Sequence, residues 1–169
     1  MKKIPTLFLR DYKTGYVIPE LNPACEWVMQ DAWPAHRKYD GTCVGLFLTV
    51  NGEVRINEGV GSDEITSRSQ LGERWMARRE VKQGYEFPDD FEIEQFDPTT
   101  KKTFGWEPIE QSPFYKHFLE AEKDLEKRYL GTYELCGPKI NGNPENFKRH
   151  TLVHHWSTDL ISNVHVLDI

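Results

Sequence analysis

The feature that most constrains this chain is a compact pattern in its first third. Cys43 to Val50 is an apolar run, Asn51-Gly52 follows, and Glu53-Val54-Arg55-Ile56-Asn57 alternates in character. Asn-Gly between two strand-like runs is the strongest short-range hairpin signal, because both residues accept the positive φ that a two-residue turn requires. In the return strand Val54 and Ile56 share one face and Arg55 takes the other. The hairpin is therefore expected to bring Arg55 back toward the residues that precede Cys43.

The rest of the chain reads as short strands joined by turns, with one helix. Ile4 to Arg10 and Tyr16 to Pro19 are strand-like, and Pro5 and Pro19 make both edge-like. Glu26-Trp27-Val28-Met29 is a further short strand candidate. Residues 58–72 are polar and read as loop, and Gln70 to Val81 fits either a helix or a strand. Tyr85 to Trp106 is broken by Pro88, Asp89-Asp90, Asp97-Pro98 and Lys101-Lys102 into short strands. A helix is expected from Ser112, with Ser112 as N-cap and Pro113 in the first helical position. Phe114, Phe118, Ala121, Leu125 and Tyr129 recur at helical spacing, and Gly131 supplies the stop. Thr132 to Gly137 and Thr151 to Trp156 are later strands, separated by a turn over Pro138 to Pro144.

Composition sets the outer limits. A chain of 169 residues supports one domain with a real core. With 38% hydrophobic and 28% charged residues it reads as a soluble globular protein and not as a disordered one. No apolar run approaches the roughly 18 residues of a membrane helix, and the N-terminus lacks the apolar centre of a secretory signal. Three cysteines, Cys25, Cys43 and Cys136, are too few and too scattered for a disulfide framework, which points to a reducing, cytoplasmic compartment. A net charge of -6 excludes nucleic-acid binding by bulk positive charge. It leaves open a local groove from Arg74, Arg78, Arg79, Lys82, Lys139, Lys148 and Arg149, or the same residues scattered over the surface.

Chemistry concentrates in Arg37-Lys38-Tyr39-Asp40-Gly41-Thr42, directly before the hairpin. Lysine, any residue, aspartate, glycine is the arrangement in which a lysine amine attacks a nucleotide α-phosphorus and holds the nucleotide as a phosphoramidate. The glycine permits close backbone approach. On its own this pattern also reads as an exposed turn before a strand. Arg55 offers a guanidinium for phosphate or reads as an ordinary surface arginine. Glu134, on an apolar strand before Cys136-Gly137-Pro138-Lys139-Ile140-Asn141-Gly142-Asn143-Pro144, offers a carboxylate to ribose hydroxyls or simply faces solvent.

Taken together, these stretches resemble the RNA ligase branch of the covalent nucleotidyltransferases, in particular the small 5′–3′ RNA ligases of vertebrate and phage type. Lys38-Tyr39-Asp40-Gly41-Thr42-Cys43 resembles the nucleophile motif, Arg55 the arginine that follows it, and Glu134 to Pro144 the third motif. Lys3 to Phe8 and Cys25 to Val28 also fit. The resemblance implies an α+β adenylyltransferase domain over residues 1–169, with antiparallel sheets framing an ATP cleft and helices outside. It implies that Lys38 takes AMP from ATP with Mg²⁺, passes it to an RNA 5′-phosphate, and leaves a 3′-hydroxyl to displace it. Arg37, Asp40, Gly41, Arg55, Glu134 and Lys139 would be the nucleotide- and phosphate-binding residues. The family continues into a Glu-Gly motif and a lysine motif. Nothing after Trp156 supplies them, and Glu58-Gly59-Val60 lies in the wrong order, so the resemblance implies a domain incomplete at its C-terminal end. Two other functions stay open: a non-catalytic nucleotide- or RNA-binding module derived from a ligase, and a guanylyltransferase using the same lysine chemistry.

The remaining chemistry-bearing residues read as structural. His154 and His155 are adjacent, so on a strand they point to opposite faces and cannot chelate one ion. His150 and His165 read as surface or core residues. Cys43 is expected in the core. Cys136 is expected near the pocket, without a histidine to activate it. Trp27, Trp33, Trp75, Trp106 and Trp156 are core or loop anchors.

Overall fold

In the computed structural model the described residues are 5–30, 34–56, 71–155 and 160–163. Trp33, Trp156, His165, Glu58-Gly59-Val60 and most of the polar loop lie outside them. The chain, read as one domain from its length, divides into two compact units: residues 39–157, and residues 2–38 with 158–169. The described elements are α+β, with all strand pairing antiparallel.

In the unit of residues 2–38 and 158–169, β1 (Phe8–Arg10) pairs with β2 (Val17–Leu21), and β3 (Pro34–His36) pairs with β11 (Leu160–Asn163). The β1–β2 turn is closed by Asp11, whose Oδ1 accepts from Thr14 N at 2.7 Å and Lys13 N at 2.9 Å. The backbone bond from Thr14 is the main reason its carboxyl lies below the ordinary range. The strand expected at Glu26 to Met29 is instead a 3₁₀ helix, Pro23–Met29. Asn22 caps it by accepting from Ala24 N at 3.0 Å, and Pro23 presets the first turn. These two residues outweigh the short apolar run. Arg37 and Lys38 end this part of the unit, and both are exposed.

In the unit of residues 39–157, among the described residues, one sheet is built from β4 (Thr42–Val50), β5 (Glu53–Val54), β6 (Leu71–Lys82), β7 (Glu92–Asp97), β8 (Lys102–Pro108), β9 (Gly131–Cys136) and β10 (Thr151–His154). The order is β10-β9-β4-β6-β8-β7, with β5 on β4. Asn51 (φ 53°) and Gly52 (φ 85°) make the expected turn between β4 and β5. The return strand ends at Val54, however, and Arg55 N bonds Leu48 O at 2.9 Å. The segment 71–82, open from sequence, is strand β6.

One sheet face is covered by α1 (Tyr115–Lys123). Val44, Leu46, Trp75, Ala77, Tyr133, Leu135 and Leu152 pack there with Phe118 and Ala121. Trp75 meets Phe118 at 5.0 Å and Tyr133 at 5.2 Å between ring centroids. Each large apolar side chain buried in this way stabilises the fold by about 1.5–3 kcal/mol. The helix is shorter than its periodicity. Ser112 Oγ accepts from Phe114 N at 3.3 Å, the expected capping bond, yet regular helix opens only at Tyr115. It ends at Lys123, with Asp124 as C-cap. Beyond it, the Tyr133 hydroxyl donates to Tyr129 O at 2.7 Å and accepts from Tyr129 N at 2.8 Å. That satisfies the Tyr129 backbone without a helical turn, so Gly131 opens β9 and does not act as a helix stop.

Candidate functional site

β9 is where the chemistry-bearing stretches meet. Its register against β4 sets Cys43 opposite Glu134 and Thr42 opposite Leu135. Successive residues alternate faces, so Tyr133 and Leu135 enter the core while Thr132 and Glu134 turn to the other side. There Glu134 Oε1 accepts from Gly41 N at 3.0 Å, and Oε2 lies 3.0 Å from His155 Nε2. His155 Nδ1 lies 2.7 Å from Thr132 Oγ1. Thr132, His155, Glu134 and Gly41 thus form a continuous polar chain across β9 and β10.

The loop after β9 holds the same segment from a second side. Asn141 Nδ2 donates to Gly41 O at 2.5 Å and approaches Asp40 Oδ1 at 3.4 Å. Asp40 N donates to Glu145 Oε1 at 2.9 Å. Tyr39 and Phe147 place their ring centroids 6.1 Å apart. The loop keeps its shape through Asn141, Asn143 and Asn146, all at positive φ, and through paired bonds between Asn143 and Phe147 at 3.0 Å. Asparagine tolerates the left-handed region better than other side chains. Ile140, fully buried, anchors the loop to the core.

Gly41 is required here for a reason different from close approach to a ligand. A Cβ at this position would run into Leu135 O and stand 2.9 Å from Cys136 Sγ. The glycine lets the segment lie against β9.

Of the residues singled out from sequence, Asp40, Gly41 and Glu134 are brought together. Lys139 is exposed in the loop, and its N–H points to His150 Nε2 at 3.4 Å. Arg55 is not carried back to this end. Its backbone stops beside Leu48, and six residue steps along β4, roughly 20 Å, separate Leu48 from Thr42. The reason is the two-residue turn at Asn51-Gly52, whose register sets Val54 opposite Thr49 and therefore Arg55 opposite Leu48, near the turn and far from Thr42. Arg55 Nη2 lies 3.9 Å from Glu53 Oε2. Cys43, expected in the core, is half-buried on the Glu134 face. Cys136 is buried as part of the wall behind Gly41.

The arginines of β6 are held in ion pairs. Arg74 pairs with Asp90 at 3.5 Å, Arg78 with Glu94 at 3.2 Å, and Arg79 with Glu107 at 3.0 Å. Alternation along β6 sends Arg78 and Arg79 to opposite faces. Burial raises the Glu107 carboxyl above its ordinary value, opposed by the Arg79 charge. Arg149 lies 3.9 Å from Asp124. Lys82, Lys139 and Lys148 are exposed.

His155, Thr132, Asn141 and Glu145 are the contributors that sequence reasoning passed over. The opposed faces of His154 and His155 were legible. The position of His155 beside Glu134 follows only from the β9–β10 register, which sets Val153 opposite Glu134. No helix among the described residues is long and apolar enough to cross a membrane. The chain matches no known protein-family model, and no curated protein is significantly similar to it.

Proposed function

We propose that the chain is an ATP-dependent RNA ligase of the covalent nucleotidyltransferase type, with Lys38 as nucleophile. The observation that carries this reading is the lacing of Asp40-Gly41 to Glu134, Asn141 and Glu145. Two stretches that resemble ligase motifs, about a hundred residues apart in sequence, meet through their motif residues. A chance four-residue pattern in an exposed turn has no reason to do so.

On this reading the antiparallel sheet is an adenylyltransferase fold, and the nucleotide lies beside Asp40, Gly41 and Glu134. ATP enters as its Mg²⁺ complex. The Lys38 amine attacks the α-phosphorus, the bond to the β-phosphate oxygen breaks, pyrophosphate leaves and the amine gives up protons to solvent. The AMP passes to an RNA 5′-phosphate, and a 3′-hydroxyl then displaces it to join the ends. Lys38 is one peptide bond from Tyr39, so its Cα stands about 3.8 Å from the first residue of the laced segment. Lys139 supplies positive charge, and Arg55 is left to contact a more distant phosphate of the RNA.

A second reading, a nucleotide- or RNA-binding module without chemistry, is favoured by one observation. Both Glu134 oxygens already serve protein groups. The deciding experiment is intact mass of the purified chain after incubation with ATP and Mg²⁺. A gain of one adenylyl group, lost in Lys38→Ala, is the expected result. ATP binding without mass gain selects the second reading. Adduct formation from GTP in place of ATP selects a guanylyltransferase.

A further inference from the structure

The loop that grips Asp40-Gly41 ends in a separate cluster. His117 and Glu120 lie one turn apart on α1 and so share a face. His150, buried, closes the loop immediately before β10. One ligand atom from each of the three side chains lies within 4.8 Å of the other two. The His117 and His150 rings stack with centroids 4.3 Å apart. His150 Nδ1 is 2.5 Å from Glu120 Oε2. His117 Nδ1 is buried without a hydrogen-bond partner, a costly state for a ring nitrogen that a metal ion would relieve.

We infer that His117, Glu120 and His150 bind a single first-row divalent cation, Zn²⁺ by the chemistry of the donors. Two imidazoles and one carboxylate are a donor set that zinc accepts, leaving a fourth position for water or a ligand. Tetrahedral zinc holds its donors about 3.3 Å apart at bond lengths near 2.1 Å. The Glu120–His150 pair, at 2.5 Å, must therefore open by nearly 1 Å while the wider separations close by up to about 1.5 Å, and the exposed Glu120 has the freedom to do most of it. The imidazoles must be neutral to bind. A surface cleft of about 290 Å³ lined by Glu120, Asp124, Pro138, Lys148, Arg149 and His150 gives an ion access from solvent.

The placement gives the ion a role. His150 packs on Gly137, so it ties the two ends of the loop that carries Asn141 and Glu145 together, and a metal on either ring nitrogen would displace the 3.4 Å Lys139 N–H contact at Nε2. A metal joining His150 to α1 would fasten that loop to the helix. The site is independent of the ligase reading, since no residue in it is assigned to nucleotide transfer.

The test is calorimetric titration of the full chain with Zn²⁺, followed by Co²⁺ substitution read in the visible spectrum. One Zn²⁺ per chain is expected, with the intense bands of four-coordinate Co²⁺. Glu120→Gln, at an exposed side chain, and His117→Ala should each weaken binding at least tenfold. His36→Ala should leave it unchanged. Circular dichroism of each variant confirms that it is folded. Absence of stoichiometric binding, or unchanged affinity in folded Glu120→Gln and His117→Ala, would overturn the assignment and leave the cluster as a Glu120–His150 ion pair beside a stacked ring.

Discussion

β9 serves two regions that could hardly differ more. On one side Tyr133 and Leu135 are buried against Trp75, Phe118 and Leu152. On the other, Thr132 and Glu134 form polar contacts with His155 and Gly41. The two adjacent histidines divide the same way. His154 packs edge-on against Tyr133 with centroids 4.6 Å apart, and His155 faces Glu134. A period of two along one strand separates residues whose loss unfolds the unit from residues whose loss loosens the Asp40-Gly41 segment. The core side is redundant in chemistry and strict in volume. The polar side is the reverse, since each group there has a particular partner.

The largest effect belongs to the core. Phe118→Ala should cost about 3–5 kcal/mol in urea-induced unfolding, with every probe of the unit shifting together. A cost under about 1 kcal/mol would break the comparison, because the α1 face would then not be where the stability lies. Gly41→Ala is next, at about 1–3 kcal/mol, since the added methyl is driven into Leu135 O and Cys136. On the ligase reading it should also suppress adenylation, read as loss of the mass gain that reading expects from the unmodified chain with ATP. Glu134→Ala should cost about 1 kcal/mol in stability, because it removes the acceptor for Gly41 N and the partner of His155. A double-mutant cycle with His155→Ala should show that the two losses do not add. Additive losses would mean that the polar chain is not one unit.

The smallest effect separates the two histidines. Burial holds the His154 pKa below its ordinary 6.5, reinforced by the nearby His155 charge and opposed by a bond to the Leu130 backbone. Between the folded value and 6.5 the unfolded chain therefore binds more protons. The stability His154 contributes is complete above pH 6.5 and falls as pH drops through that window. His154→Gln should flatten part of the slope of unfolding free energy against pH. His117, lowered in the same direction, keeps the rest. An unchanged slope in His154→Gln would move the proton uptake elsewhere.

What could be read from sequence was local. Asn51-Gly52 announced its own turn, and the strands over 131–136 and 151–154 lay where their apolar residues suggested. Differences arose where a partner in space or a capping pair just upstream overrode an apolar pattern. Leu125 and Tyr129 keep helical spacing, but the Tyr133 hydroxyl takes the Tyr129 backbone and the helix stops early. Glu26 to Met29 looked extended because the capping role of Asn22 and Pro23 carried too little weight. In the candidate site, Asp40, Gly41 and Glu134 were nameable from motif chemistry. Their mutual contact, and those of Asn141, Glu145 and His155, depend on strand register, which no local pattern encodes.

The position of β9 in the sheet also dictates when the site comes into being. The chain lays β6 on one edge of β4, extends outward through β8 and β7, and only then returns with β9 to the opposite edge. Glu134 and Gly41 are 93 positions apart in sequence. Closing so distant a pair is entropically slow compared with the hairpins that come before it. The gripping of Asp40-Gly41 should therefore be among the last events in folding. Partly folded molecules would carry much of the sheet yet none of the site, and ligand binding would count only chains that have completed the journey.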